Sequence, residues 1–262
     1  MRNWLKYTAL ATVVGLAACT SSPTGRNQLL LFSDQDMSAL GAQSFEQMKQ
    51  QQKISKDKKI NAYVQCVAKA VTKQVPQQSE FKDWEVVVFD SEQVNAFALP
   101  GGKIGVYTGL LNVANNEDQL ATVIGHEIAH VLADHSNERL SQSQLTSAGL
   151  QITSSVLGSS EYAQYQSATM AALGLGLQYG VLLPYGRTQE SEADIVGLEL
   201  MAKAGFDPNQ SISLWQNMAK ASGGSQPPEL LSTHPSHGTR IKDLSAKIKT
   251  LPNYNVKRPN CS

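Results

Sequence analysis

The chain has 262 residues, 41% of them hydrophobic and 17% charged, with 22 Lys and Arg against 22 Asp and Glu. That length allows one domain with a good core. The near-neutral balance, with no basic run, gives no electrostatic case for a nucleic-acid partner.

Arg2 and Lys6 flank an apolar run from Tyr7 to Leu16 that ends in Leu16-Ala17-Ala18-Cys19. Residues 1–18 read as a signal peptide, too short to cross a bilayer as an ordinary helix. The small residues before the cysteine resemble the lipobox of bacterial lipoproteins. That resemblance implies cleavage before Cys19 and lipidation of its thiol. Thr20 stands where an aspartate would signal retention in the inner membrane, so the expected address is the periplasmic face of a Gram-negative outer membrane, held by the lipid anchor. With Cys19 lipidated, Cys66 and Cys261 remain in a compartment that permits disulfides. Their even count favours a bridge that pins the C-terminal tail to an early helix.

Residues 19–32, small, polar and turn-rich at Thr20-Ser21-Ser22-Pro23-Thr24-Gly25, read as a lipidated tether. The folded domain is expected over 33–250. Ser33 with Asp36 marks a helix start, with Met37, Leu40, Gly41, Ser44, Phe45 and Met48 on one face. A second helix is expected from Ser55 to about Gln74, with Ile60, Tyr63, Val64, Val67 and Val71 inward. The pattern then turns to strand in residues 84–89, 94–99 and 103–107, with Pro100-Gly101-Gly102 as turn chemistry. The sequence thus predicts a small antiparallel sheet, either an ordinary core hairpin or an edge that holds substrate extended.

Asn115-Asn116-Glu117-Asp118 supplies a cap and an acidic first turn. Leu120, Val123, Ile124, Ile128, Val131 and Leu132 then recur at helical spacing. Residues 136–183 read as loose helices rich in Ser, Gln, Ala and Gly: a soluble pair over the site, or a pair that touches lipid. A helix from Thr188 to about Ala204 ends at Gly205, and Asp207-Pro208 opens the next. A last helix follows Ser232-Thr233-His234-Pro235-Ser236-His237, with His237 read as a surface histidine at its start. Residues 251–262 form an aperiodic tail. The fold class is α+β, mostly helical. No feature of the sequence sets an oligomeric state.

Chemistry concentrates in Gly125-His126-Glu127-Ile128-Ala129-His130. Positions four apart share a helix face, so His126 and His130 can grip one Zn2+ ion while Glu127 reaches its water. A catalytic zinc needs a third protein ligand. His135 does not complete the longer metzincin pattern, which requires glycine where Ala133 stands and histidine where Ser136 stands. In Glu190-Ser191-Glu192-Ala193-Asp194, Glu190 and Asp194 share a face and Glu192 points about 200° away from Glu190. One carboxylate there can bind zinc while a neighbour orients a ligating histidine; the alternative is a solvated acidic helix start.

Together these two motifs resemble the H-E-x-x-H…E-x-x-x-D pattern of the gluzincin family that contains HtpX, the Ste-type CAAX prenyl proteases and the periplasmic proteins BepA and LoiP. The resemblance extends to Thr24-Gly25-Arg26-Asn27-Gln28-Leu29, to Asn95-Ala96-Phe97-Ala98-Leu99-Pro100-Gly101-Gly102 and to Ser232-Thr233-His234-Pro235. It implies a zincin-like metalloendopeptidase acting on polypeptide substrates, with His126, His130 and Glu190 as zinc ligands, Glu127 as catalytic base and Asp194 behind them. It further implies that His234 and Arg240 steady the substrate or the oxyanion, and that His234 can gate the fourth zinc position. Unlike HtpX and the prenyl proteases, this chain shows no membrane span after Cys19, so prenylated substrates are not expected. Only about a dozen residues follow the last helix, so no repeat domain like that of BepA is expected. The substrates implied are misfolded or unassembled envelope proteins; the alternative is an assembly factor or chaperone whose protease site is mostly gated.

Overall fold

The computed structural model describes residues 19–76, 83–160, 163–178, 182–221, 223 and 236–261. The signal peptide, residues 1–18, and His234 lie outside the described residues.

The stretch read as a tether is folded. Strands β1 (Cys19–Ser21) and β2 (Asn27–Leu29) pair antiparallel. Ser22 and Gln28 are buried beneath them. Its turn-forming composition supports a tight hairpin as readily as a flexible linker, and Arg26 decides between them by binding carboxylates in the body of the protein.

Helix α1 (Asp34–Gln51) starts where Ser33 caps it, the side chain accepting from the Asp36 amide. Met37, Gly41 and Phe45 face inward, but Leu40, expected there too, is 45% exposed. Helix α2 (Lys58–Thr72) begins three residues later than expected. Asp57 is its cap, its carboxylate accepting from the Lys59 and Ile60 amides, while Ile54 and Ser55 still bond to the edge of β3.

Strands β3 (Glu85–Phe89), β4 (Ala96–Leu99) and β5 (Lys103–Tyr107) form one sheet in the order β3-β5-β4. β4 and β5 make the expected antiparallel hairpin, with Gly101 and Gly102 at positive φ in its turn. β3, however, runs parallel to β5, so the sheet is mixed rather than wholly antiparallel. The final strand inserts between its two predecessors, a choice that local alternation does not encode.

Helix α3 (Glu117–Leu132) carries the histidines, and Asn116 caps it by accepting from the Gln119 amide at 2.9 Å. A left-handed corner at Asp134 (φ 52°) turns the chain into α4 (His135–Gly158). Next come a short 3-10 turn and α5 (Gln166–Leu177), α6 (Leu183–Lys203), α7 (Gln210–Ala221) and α8 (His237–Ile248). Among the described residues no helix is long and apolar enough to cross a membrane. The outer half of α4 leaves Ile152 and Val156 exposed.

The main core joins Val64, Val67 and Val71 of α2 and Leu120, Ile124 and Ile128 of α3 to one face of the sheet through Val88, Ile104 and Val106. Leu198 and Met201 of α6, Leu214 of α7 and Leu244 of α8 complete it. The other sheet face meets α1 through an aromatic group in which Phe45 lies 6.4 Å edge-on from Phe89. A Cys66–Cys261 disulfide is present, as the cysteine count favours. It fixes a tail that otherwise has no regular structure, while Arg258 reaches Glu117 at 2.9 Å and Asp118 at 2.7 Å.

Candidate metal centre and active site

Two glycines bring the site together. A Cβ on Gly125 would stand 2.7 Å from the Gly197 carbonyl oxygen, and one on Gly197 would stand 2.6 Å from the His126 nitrogen. Helices α3 and α6 therefore touch backbone to backbone, which only glycine at both positions permits. The contact sets His126 opposite the Glu190–Asp194 turn of α6.

His126, His130 and Glu190 each offer a donor atom within 4.8 Å of the others. The two imidazole Nε2 atoms are 3.0 Å apart. Glu190 lies 3.4 Å from each of them, by Oε2 to His126 and by Oε1 to His130. Zn–N bonds of about 2.0–2.1 Å at tetrahedral angles separate donors by about 3.3 Å, so this triangle has the size that zinc requires. A cation held there would take a lone pair from each of the two ring nitrogens and from the carboxylate.

Behind His126, Asp194 Oδ1 lies 3.0 Å from Nδ1. Arg240 clasps both oxygens of Asp194, donating to Oδ2 from Nε at 2.7 Å and to Oδ1 from Nη2. It lies over the Trp215 ring at 3.5 Å. Arg240 Nη2 also lies 3.1 Å from His126 Nδ1, and Nη1 lies 3.8 Å from Glu190 Oε2, so the guanidinium stands behind the donor set. His237, expected at the surface, is half-buried against the same indole, its ring 5.7 Å from that of Trp215. Burial works to raise Asp194, but Arg240 and His126 outweigh it and hold its carboxyl below the usual range. Burial and Arg240 push His126 down, yet Asp194 and Glu190 prevail and lift it to about 9. His130 is driven well below its ordinary value by burial and by the charge of His126.

Glu127 is raised to about 7, first by burial and then by Glu190, while His126 and Arg240 oppose the shift. The backbone at Ala98 of β4, an outer strand of the sheet, lies close enough to its carboxyl to work against that rise. A cavity of about 340 Å³ borders Glu190 between α4 and α6, lined by Arg139, Gln142, Ser143, Tyr185 and Gly186 among others.

The sequence pattern of peptidase family M48 matches residues 55–248. The chain belongs to that family. It is similar to the mitochondrial metalloendopeptidase OMA1 of Bos taurus, 35% identical over 242 residues, covering 87% of this chain and 45% of the relative. The mitochondrial metalloendopeptidase OMA1 of Schizosaccharomyces pombe is 37% identical over 197 residues, 75% of this chain and 54% of the relative. The beta-barrel assembly-enhancing protease of Yersinia pestis is 29% identical over 215 residues, 80% of this chain and 43% of the relative. The chain spans about half the length of these relatives. M48 metallopeptidases use zinc, and the His126, His130 and Glu190 donor set suits that ion.

One part of this M48 centre escapes sequence reading. His135, discarded as a metzincin-type ligand, places Nδ1 2.8 Å from His130 Nδ1 and Nε2 3.1 Å from Glu192 Oε2. Glu192 does point away from Glu190, yet it is buried rather than solvated, receiving Thr24 and Arg26 from the N-terminal hairpin. The sequence carries no signal for this burial: from His135 to Gln144 only Leu140 is apolar, so Glu138 reads as part of a solvated face.

Proposed function

We propose that this chain is a zinc-dependent endopeptidase that hydrolyses internal peptide bonds. The observation that carries this reading is the convergence of His126, His130 and Glu190 donor atoms within 4.8 Å, one residue from Glu127. Zinc held by those three side chains supplies Lewis-acid activation to an attacking water and to the scissile carbonyl. Glu127 takes the water's proton and delivers it to the leaving amine. The backbone at Ala98 of β4 lies beside its carboxylate. An extended substrate pairs along the outer edge of β4, and the cavity beside Glu190 receives one of its side chains. Asp194 and Arg240 act as positioning residues for His126, while His234 is assigned to the oxyanion or to the fourth zinc position.

Glu127→Gln tests the mechanism. It should retain zinc and lose cleavage of a casein-type substrate; continued turnover would remove Glu127 from the role of base.

The substrates we assign are misfolded or unassembled proteins of the cell envelope, met by a chain anchored through lipid on Cys19 at the outer membrane. The Leu16-Ala17-Ala18-Cys19 stretch supports the anchor. Similarity to the beta-barrel assembly-enhancing protease of Yersinia pestis supports the envelope; the relatives named mitochondrial share the peptidase but not that compartment. Incorporation of labelled palmitate that persists in Cys19→Ala would exclude the anchor. That same relative's name favours a second reading, assistance to barrel assembly without cleavage. Rescue of a deletion strain by Glu127→Gln would select it.

A further inference from the structure

The N-terminal hairpin meets the metal centre through hydrogen bonds whose directions can be worked out. Glu192 accepts from the Thr24 amide at 3.2 Å, from Thr24 Oγ1 at 2.6 Å, and from Arg26 Nε at 3.1 Å and Nη2 at 3.0 Å. Arg26 spends its other hydrogens on Glu138, at 2.6 and 2.8 Å, and on the Tyr185 hydroxyl at 2.9 Å. Glu192 is therefore an ionised acceptor at every contact. His135 Nε2, 3.1 Å from Glu192 Oε2, must then be the donor. In a neutral ring this leaves His135 Nδ1 as a bare acceptor. His130 Nδ1, 2.8 Å away, must carry the hydrogen between them. The lone pair of His130 is consequently on Nε2, the atom that faces His126 and Glu190.

The geometry points to Arg26, Glu192 and His135 as a positioning relay for His130, through which the N-terminal hairpin fixes the tautomer and ring orientation of a zinc ligand. The relay rests on His130 being a ligand, as proposed above. It mirrors on His130 what Asp194 and Arg240 do for His126, so each ligating imidazole is held from behind by a carboxylate that an arginine neutralises. On the His130 side a second imidazole intervenes. The corner at Asp134, in the left-handed region, folds His135 back onto His130. Gln28 fastens that corner, donating to the Ala133 carbonyl at 2.6 Å and to Glu138 at 3.1 Å. Partners behind metal-bound histidines commonly change affinity by roughly 10–100-fold when lost.

Two measurements on the full chain test the relay. Glu192→Gln keeps the shape but can turn an amide hydrogen toward His135 Nε2, reversing the chain of donors. Its zinc affinity, read by competition with a chelator, should fall roughly 10–100-fold. Arg26→Gln should weaken zinc in the same direction. Independently of any variant, nitrogen–proton correlation spectra of the zinc-loaded protein should show His135 protonated at Nε2 alone and His130 at Nδ1. Parental zinc affinity in Glu192→Gln, or a His135 protonated at Nδ1, overturns the relay. A His130→Ala variant with parental zinc affinity overturns the ligand set instead, so the two failures are distinguishable. If Glu192→Gln does not fold, the spectra of the parent protein decide alone.

Discussion

Gly197 touches His126: any side chain on this glycine would place its first carbon 2.6 Å from the backbone nitrogen of the ligand. Helices α3 and α6 meet backbone to backbone there, one carrying His126 and His130 and the other Glu190. Gly197→Ala should therefore separate the helices, destabilising the protein by about 1–3 kcal/mol and weakening zinc together with it. Thermal melts with and without zinc would check this; an alanine variant with parental melting temperature and zinc affinity would show that the backbones have room to spare.

Arg240 separates a positioning role from an oxyanion role. Asp194 is buried, and removing its partner leaves an uncompensated charge, a loss of about 3–5 kcal/mol in comparable buried pairs. Arg240→Ala should thus lower stability and zinc affinity alongside kcat. Arg240→Lys keeps the charge but loses the two-pronged clasp and should recover only part of both. A pure kcat defect with unchanged zinc affinity would instead place Arg240 against the substrate.

With Glu127 as the proposed base, its carboxyl should set the acid limb of the pH profile. Its carboxyl is raised to about 7 by burial and by Glu190. As a base it works deprotonated, so kcat/KM should rise with pH toward a plateau and fall as pH drops through its pKa. Bound zinc adds positive charge and moves that pKa down, so the limb should lie no higher than about 7. A profile that instead loses activity as pH rises from 6 to 8 would contradict Glu127 as the base.

The metal helix and its cap were legible because they are local. Asn116 supplies the cap, apolar spacing supplies the buried face, and two histidines four residues apart supply two of the three converging donors. β5 was legible for the same reason, with alternation and a Gly-Gly turn at its start. The parallel pairing of β3 with β5 was not, since strand order depends on contacts the local pattern does not carry. Nor was the hairpin before α1: Thr24, Gly25 and Arg26 look like linker until Glu138 and Glu192 are placed beneath Arg26. Helix α6 starts at Leu183, with Pro184 in its first turn, five residues before the expected Thr188, because proline suits a helix start as well as it suits a break.

The Cys66–Cys261 bridge spans 195 residues of chain and should add about 2–4 kcal/mol by restricting the unfolded chain. Cys261→Ser should lower the melting temperature, and reductant should lower that of the parent but not of the variant. Identical melts in oxidised and reduced parent protein would mean that Arg258 and the surrounding contacts hold the tail unaided.

Helix α3 is gripped at both ends by segments distant from it in sequence. Gln28 holds its last turn through Ala133, while Arg258 and the Cys261 amide hold Glu117 in its first. Both grips bear on the helix that carries His126 and His130, not on the apolar side chains beneath it. Releasing either one should therefore misalign the donor atoms at a smaller disturbance than the core needs to come apart, so that activity fails before the fold does.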